Sequence, residues 1–252
     1  MSEAESRPLP APPPSKMSPS HKALAGLLGF LLLAKIVEMV LHVPFLTTVQ
    51  QAVFSWRMTL FIAALALLGS GFAHIVGFPG MWEEGIGVSR KIWLPLAAGI
   101  VFGVVLLFAD RSSGFATHSA AVAGVPTLAL PFRFSVLFQL FAGVCAAILY
   151  NLFALAFTVW FVGTLILARR WPSATFWVLA LLVSLWEPYM MASQGHGALI
   201  RSVHFPAGIW AMLALYYVVD LTATIFIRRF GFTAALVWRL SAVMVWHFAG
   251  RL

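Results

Sequence analysis

Apolar runs of about 20 residues recur along this chain, and that is the length a helix needs to cross a bilayer. They are separated by short joints that are basic or contain proline and glycine. A chain of 252 residues that is 62% hydrophobic and only 10% charged has too little polar surface to face water on all sides. In lipid every backbone N–H and C=O must be satisfied within the protein, so runs of this length dictate helices. The expected fold is all-α, a polytopic transmembrane helical bundle.

Seven spans are expected, at Ala23–Leu46, Trp56–Val76, Ile92–Ala109, Phe132–Ala168, Ala174–Ala192, Ile209–Ile227 and Phe232–Phe248. The fourth is long enough to be tilted or broken. Residues 1–22 carry six prolines (Pro8, Pro10, Pro12, Pro13, Pro14 and Pro19) and read as a disordered, extended leader rather than a cleavable signal. The domain scheme is then this leader, N-terminal transmembrane helices over 23–130, and a four-helix core over 131–252.

Lys and Arg alternate between the loops. With the N-terminus inside, the inner side holds Arg7, Lys16, Lys22, Arg90, Lys91, Arg169, Arg170, Arg228 and Arg229. The outer side holds Arg111, Arg133, Arg201 and Arg251. That bias predicts a cytoplasmic N-terminus and an outer C-terminus in a bacterial-type inner membrane. Trp56, Trp93 and Trp171, near span ends, suit the headgroup belt. The net charge of +8 is spread thinly over span ends. It does not form the contiguous basic face that a nucleic-acid binder shows, so no nucleic-acid partner is expected. The expected partners are the bilayer and a membrane protein. Cys145, the single cysteine, excludes an intramolecular disulfide.

Ionisable residues inside spans are expensive and mark either buried pairs or functional paths. Here they are Lys35, Glu38, His42, Arg57, His74, Glu187, Asp220, Arg239 and His247. Lys35, Glu38 and His42 share one helix face by their spacing. They read as a self-neutralising Lys–Glu pair, with His42 at the outer interface. Glu187 precedes Pro188, and the two mark a kink in the fifth span. Its best partner by charge is Arg239. Asp220 is expected toward the inner end of the sixth span, in a local pair with Arg228 and Arg229. Glu187, Arg239 and Asp220 are the candidate binding residues. Glu83 and Glu84 fall in a Gly-rich loop and read as solvated. His196 and His204, in SQGHGALIRSVHF, lack a metal-ligand spacing. No metal is expected, and no cofactor is specified.

Over residues 130–250 the order and local texture of the spans resemble the CPBP family, the CAAX-processing and bacteriocin-processing intramembrane proteases. FAGVCAAILYNLF resembles the first motif helix, FWVLALLVSLWEP the second, and IFIRRFGFTAALVWRLSAVMVWHF the basic-Gly turn and third motif helix. The segment GFPGMWEEGIGVSRKIWLPLAAGIVFG resembles the family's loop and helix upstream of the first motif. The resemblance implies a CPBP-like core in which paired glutamates activate water and histidines complete the site. The motif positions depart from that pattern. The paired glutamates fall on Ala146 and Ala147, and the first motif's arginine on Asn151. The motif histidines fall on Glu187 and Arg239, the latter with Val243 four residues on. The resemblance with these departures implies a scaffold without the protease's base and electrostatic stabiliser.

Four functional classes follow. The first is a non-catalytic CPBP-like protein that binds a ligand or partner, for which positions 146, 147, 187 and 239 should converge. The second is an active CPBP-type metalloprotease with a divergent site, for which Glu83 and Glu84 should reach a histidine. The third is a membrane subunit holding a cofactor through histidines, His42 and His247 facing each other. A small transporter is the fourth, and the lack of repeated broken helices speaks against it.

Overall fold

A computed structural model of the chain describes residues 19–43, 48–83, 85–117, 131–168, 170, 172–194 and 207–249. The leader up to residue 18, Glu84, His196 and His204 lie outside the described residues. Those described are helical, with no strand among them. The order is α1 (Pro19–Leu41), α2 (Thr48–Val53), α3 (Trp56–Ile75) and α4 (Leu94–Ser113), followed by a long interrupted rod. In that rod α5 (Phe132–Ala146) passes into a π-helical segment (Ala147–Ala154), then α6 (Leu155–Trp160) and a second π segment (Phe161–Ile166). After it come α7 (Pro172–Ser184), α8 (Trp186–Gln194), α9 (Ala207–Phe230) and α10 (Phe232–Ala249).

Five of these stretches are long and apolar enough to cross a membrane: Pro19–Leu41, Trp56–Ile75, Ser89–Ser113, Phe134–Ile166 and Trp210–Phe230. The two other expected spans differ for separate reasons. α10 is apolar but shorter, over Phe232–Phe248. The fifth is two short helices of 13 and 9 residues, parted at Leu185. Pro188 accounts for the break. It has no N–H to give the carbonyl of Ser184, and its ring collides with that carbonyl in a continuous helix. Placed in the first turn of α8, the missing donor costs nothing.

Other interruptions also follow from local chemistry. Pro95 withholds a donor at the start of α4, and the chain before it forms a π turn, Ser89–Trp93, closed by Leu94 N–H donating to Ser89 O. Ser55 caps α3 by accepting from Met58 N at 3.1 Å. Gly231 is the lone residue between α9 and α10. Its φ of 88° is in the left-handed region, and a Cβ there would stand 2.5 Å from Gly80 O. Glycine is required at that turn on both counts.

The main core gathers around the first π segment. Ala147, Ile148 and Leu152 pack with Leu27 and Leu31 of α1, Ile62 and Ala66 of α3, and Ala235 and Trp238 of α10. A second cluster joins Leu106 of α4, Met212 and Tyr216 of α9, and Ala242 and Trp246 of α10. α4 and α10 approach closely, because Gly99 and Gly103 offer no side chain. A Cβ at Gly99 would stand 2.6 Å from Trp238 O, and one at Gly103 the same distance from Ala242 O. This small-xxx-small seam is how helices pack where lipid removes the hydrophobic drive between them. Large apolar side chains such as Val40, Leu60, Val101 and Phe108 point outward and are exposed. Such a girdle suits hydrocarbon and would be an aggregation surface in water.

Candidate functional site

Three charged side chains meet in the interior. Arg239 of α10 spreads its guanidinium between α8 and α9. Nη1 donates to Asp220 Oδ1 at 2.5 Å, and Nη2 donates to both carboxylate oxygens of Glu187. All three are buried, at 2% exposure for Arg239, 1% for Asp220 and 7% for Glu187. Asp220 stands midway along Trp210–Phe230, about 15 Å from either end at the helical rise. Glu187 lies in the first turn of α8, where the helix dipole favours an anion. The fork of Arg239 suits this task, since a guanidinium can serve two carboxylates in fixed directions.

Not every polar atom here is satisfied. Asp220 Oδ2 and Arg239 Nε are buried without a hydrogen-bond partner, as are Ser184 Oγ at the end of α7 and Asn151 Oδ1 on the π segment. Tyr150, also on that segment, and Tyr216 of α9 lie within electrostatic reach of Glu187, Arg239 and Asp220. The π segment Ala147–Ala154 thus lies beside the charged cluster, and such turns often occur at functional sites.

The pairing of Glu187 with Arg239 expected from charge alone is present. The expected local pair of Asp220 with Arg228 and Arg229 is not. Asp220 is mid-helix, about 12 Å of helical rise from residue 228. Arg228 instead lies over Phe176 and Trp177, at 4.2 and 5.2 Å from the ring centroids, and donates to Ser173 Oγ at 3.3 Å. Ala147 and Asn151 are buried on the π segment, and Ala146 ends α5. A separate apolar groove of about 400 Å³ lies between α1, α5 and α10. Leu27, Phe30, Val144, Trp82 and Leu236 are among its lining residues, and none of Ala146, Ala147, Glu187, Asp220 or Arg239 is.

The remaining charged candidates have local partners or lie at the surface. Lys35 donates to Glu38 at 2.5 Å, and its ammonium is 5.8 Å from the Trp56 ring. His42 Nδ1, just past the end of α1, is 3.1 Å from Val40 O, and His247 Nδ1 is 3.0 Å from Val243 O of its own helix. Arg57 and His74 are exposed. Glu83 caps its own loop by accepting from Gly80 N at 2.9 Å, and its carbonyl takes the Lys91 ammonium. Among the described residues no group of three or more His, Cys, Asp or Glu is placed to hold a metal ion.

Asp110 is a carboxylate that hydropathy reading passed over. It accepts from Trp246 Nε1 at 3.0 Å and from Ala116 N at 2.9 Å, tying the end of α4 to α10. Its position beside Arg111 at a span end hid it among ordinary interfacial charges. Gly99 and Gly103 did carry a sequence signal, the G-x-x-x-G spacing inside an apolar run.

No family model, no curated protein and no solved structure matches this chain.

Proposed function

We propose that this is a seven-span membrane protein with a CPBP-like core over 131–252, which has given up proteolysis and binds a membrane ligand or partner. The observation that carries the reading is the Arg239 cluster. Glu187 and Arg239 occupy the positions where the resemblance puts the family's histidines, and they are in contact. A guanidinium has no acceptor atom and cannot take a proton from water. Glu187 has both oxygens engaged by Arg239, so it is not a free base. Ala146 and Ala147 have no acid–base chemistry at all. The arrangement can hold a charge-complementary group by exchange with its own ion pairs, but its one unengaged carboxylate oxygen, Asp220 Oδ2, is buried and lacks the paired glutamate that the resemblance assigns to water activation.

Purified protein incubated with prenylated and leader peptides is expected to give no cleavage. Cleavage abolished by Glu83→Ala would move the site to the loop after α3. Cleavage that survives that change would place the catalytic group elsewhere, and either outcome removes the non-catalytic reading.

In the membrane, α10 and the broken α7–α8 pair complete seven crossings in this proposal. The N-terminus is cytoplasmic and the C-terminus outside, as the basic loops require. Reporter fusions at the two ends are expected to report opposite sides of a bacterial-type inner membrane. The same side for both would mean that α7–α8 or α10 does not cross.

A further inference from the structure

We propose that the Glu187–Arg239–Asp220 cluster is a proton-binding site, holding one proton shared between its two carboxyl groups. One guanidinium faces two carboxyl groups, all three buried in the protein, with Asp220 midway along α9. The guanidinium keeps its single positive charge. With both acids ionised the set carries one uncompensated negative charge where hydration is lost, and a buried group in that position takes up a proton instead. Among the described residues, the other buried or ring-stacked cations are engaged elsewhere. Lys35 is spent on Glu38, Lys91 on the Glu83 carbonyl, and Arg228 lies on the rings of α7. Among the described residues, the titratable groups facing the cluster from the surrounding elements are Tyr150 of the π segment and Tyr216 of α9, with Asp110 of α4 acting on Tyr216. None adds positive charge.

Hydrogen bonding asks for the same proton independently. Asp220 Oδ1 is taken by Arg239, whereas Oδ2 is buried with no donor. Glu187 and Asp220 occupy the two neighbouring terminal nitrogens of one guanidinium, which sets their carboxyl groups side by side. Two ionised carboxylates cannot bond, since both only accept. One proton between them turns one oxygen into a donor, satisfies the other and makes the cluster neutral. Loading is simple proton transfer: water or hydronium gives the proton to a carboxylate oxygen, and unloading returns it. The charge count is independent of family, so the inference stands or falls separately from the CPBP-like reading.

Infrared spectroscopy of the full chain in nanodiscs at neutral pH tests this. The expected spectrum has the C=O band of a protonated carboxylic acid, shifted by deuterium exchange. It is lost in Glu187→Gln and lost in Asp220→Asn, and it is kept in Glu38→Gln and Asp110→Asn. A protonated-carboxyl region identical in wild type and both cluster variants overturns the proposal. So does the lack of such a band together with a stability that rises with sodium at constant pH, which would make the site one for a metal cation. Should either amide variant fail to fold, Glu187→Asp and Asp220→Glu keep the acid and are expected to move the band. A band that does not move in them overturns the proposal equally.

Discussion

Replacing Arg239 with methionine is expected to lower stability in detergent by about 3–5 kcal/mol, the usual result of stripping a buried charge of its partner. Methionine fills the volume and keeps the helix, so the loss reports the charge alone. The two stranded carboxylates can partly recover by taking up protons. A stranded guanidinium cannot, because it does not deprotonate. Glu187→Gln combined with Asp220→Asn should therefore destabilise at least as much as Arg239→Met. Either amide substitution alone leaves a one-to-one ion pair and should cost less, about 1–3 kcal/mol for the altered hydrogen bonds. Adding Glu187→Gln to Arg239→Met should restore part of the loss. Adding Asp220→Asn as well should restore more, since Arg239 serves both acids. Thermal unfolding of the full set forms a mutant cycle. Strictly additive losses would mean that the three charges do not depend on one another.

The second large effect is expected at Gly103. Its absent side chain faces Ala242 O and Val245 Cβ, each 2.6 Å from where a Cβ would be. The carbonyl belongs to the α10 backbone and cannot rotate aside. Gly103→Ala already forces the helices apart, at a cost of about 1–3 kcal/mol for overpacking. Gly103→Leu should exceed that range and leave little folded protein, measured as the monodisperse fraction in size-exclusion chromatography. The same holds for Gly99, which abuts Trp238 O. Trp238 and Arg239 are adjacent, so separating the seam also displaces the charged cluster. Wild-type yield and unfolding temperature for Gly103→Leu would refute a close α4–α10 seam.

How much of this was readable from sequence varies with the physical signal. Hydropathy is a sum over neighbours, so five apolar helices match the expected spans closely, and Pro188 announced the break at Leu185. The Glu187–Arg239 pair was readable because an opposite charge is the cheapest partner for each in an apolar span. Asp220 was misplaced because proximity in sequence pointed to Arg228 and Arg229. In space those two are more than two helical turns further along, and Arg228 finds aromatic rings instead. The π segments had no signature: Leu155 N–H reaches back to Tyr150 O without any proline or glycine to mark the change. The seam at Gly99 and Gly103 was legible as spacing, but spacing does not name the helix that fills it.

The single-residue turn at Gly231 has a consequence for biogenesis. With one residue between α9 and α10, the two helices form a tight hairpin, and under the seven-span proposal they are expected to reach the insertion machinery as one unit. Each carries a charge near its middle, and each charge alone opposes partitioning by about 2.5–3.5 kcal/mol on insertion scales. Asp220 and Arg239 pair across the hairpin, so under the seven-span proposal the two segments are expected to partition together more readily than either alone. Glycosylation mapping of α9 and α10, separately and joined, would measure this: the joined pair should insert more completely than either alone, and Gly231→Pro or a long inserted spacer should erase the advantage. Equal insertion in all three formats would mean that each helix enters on its own apolar residues.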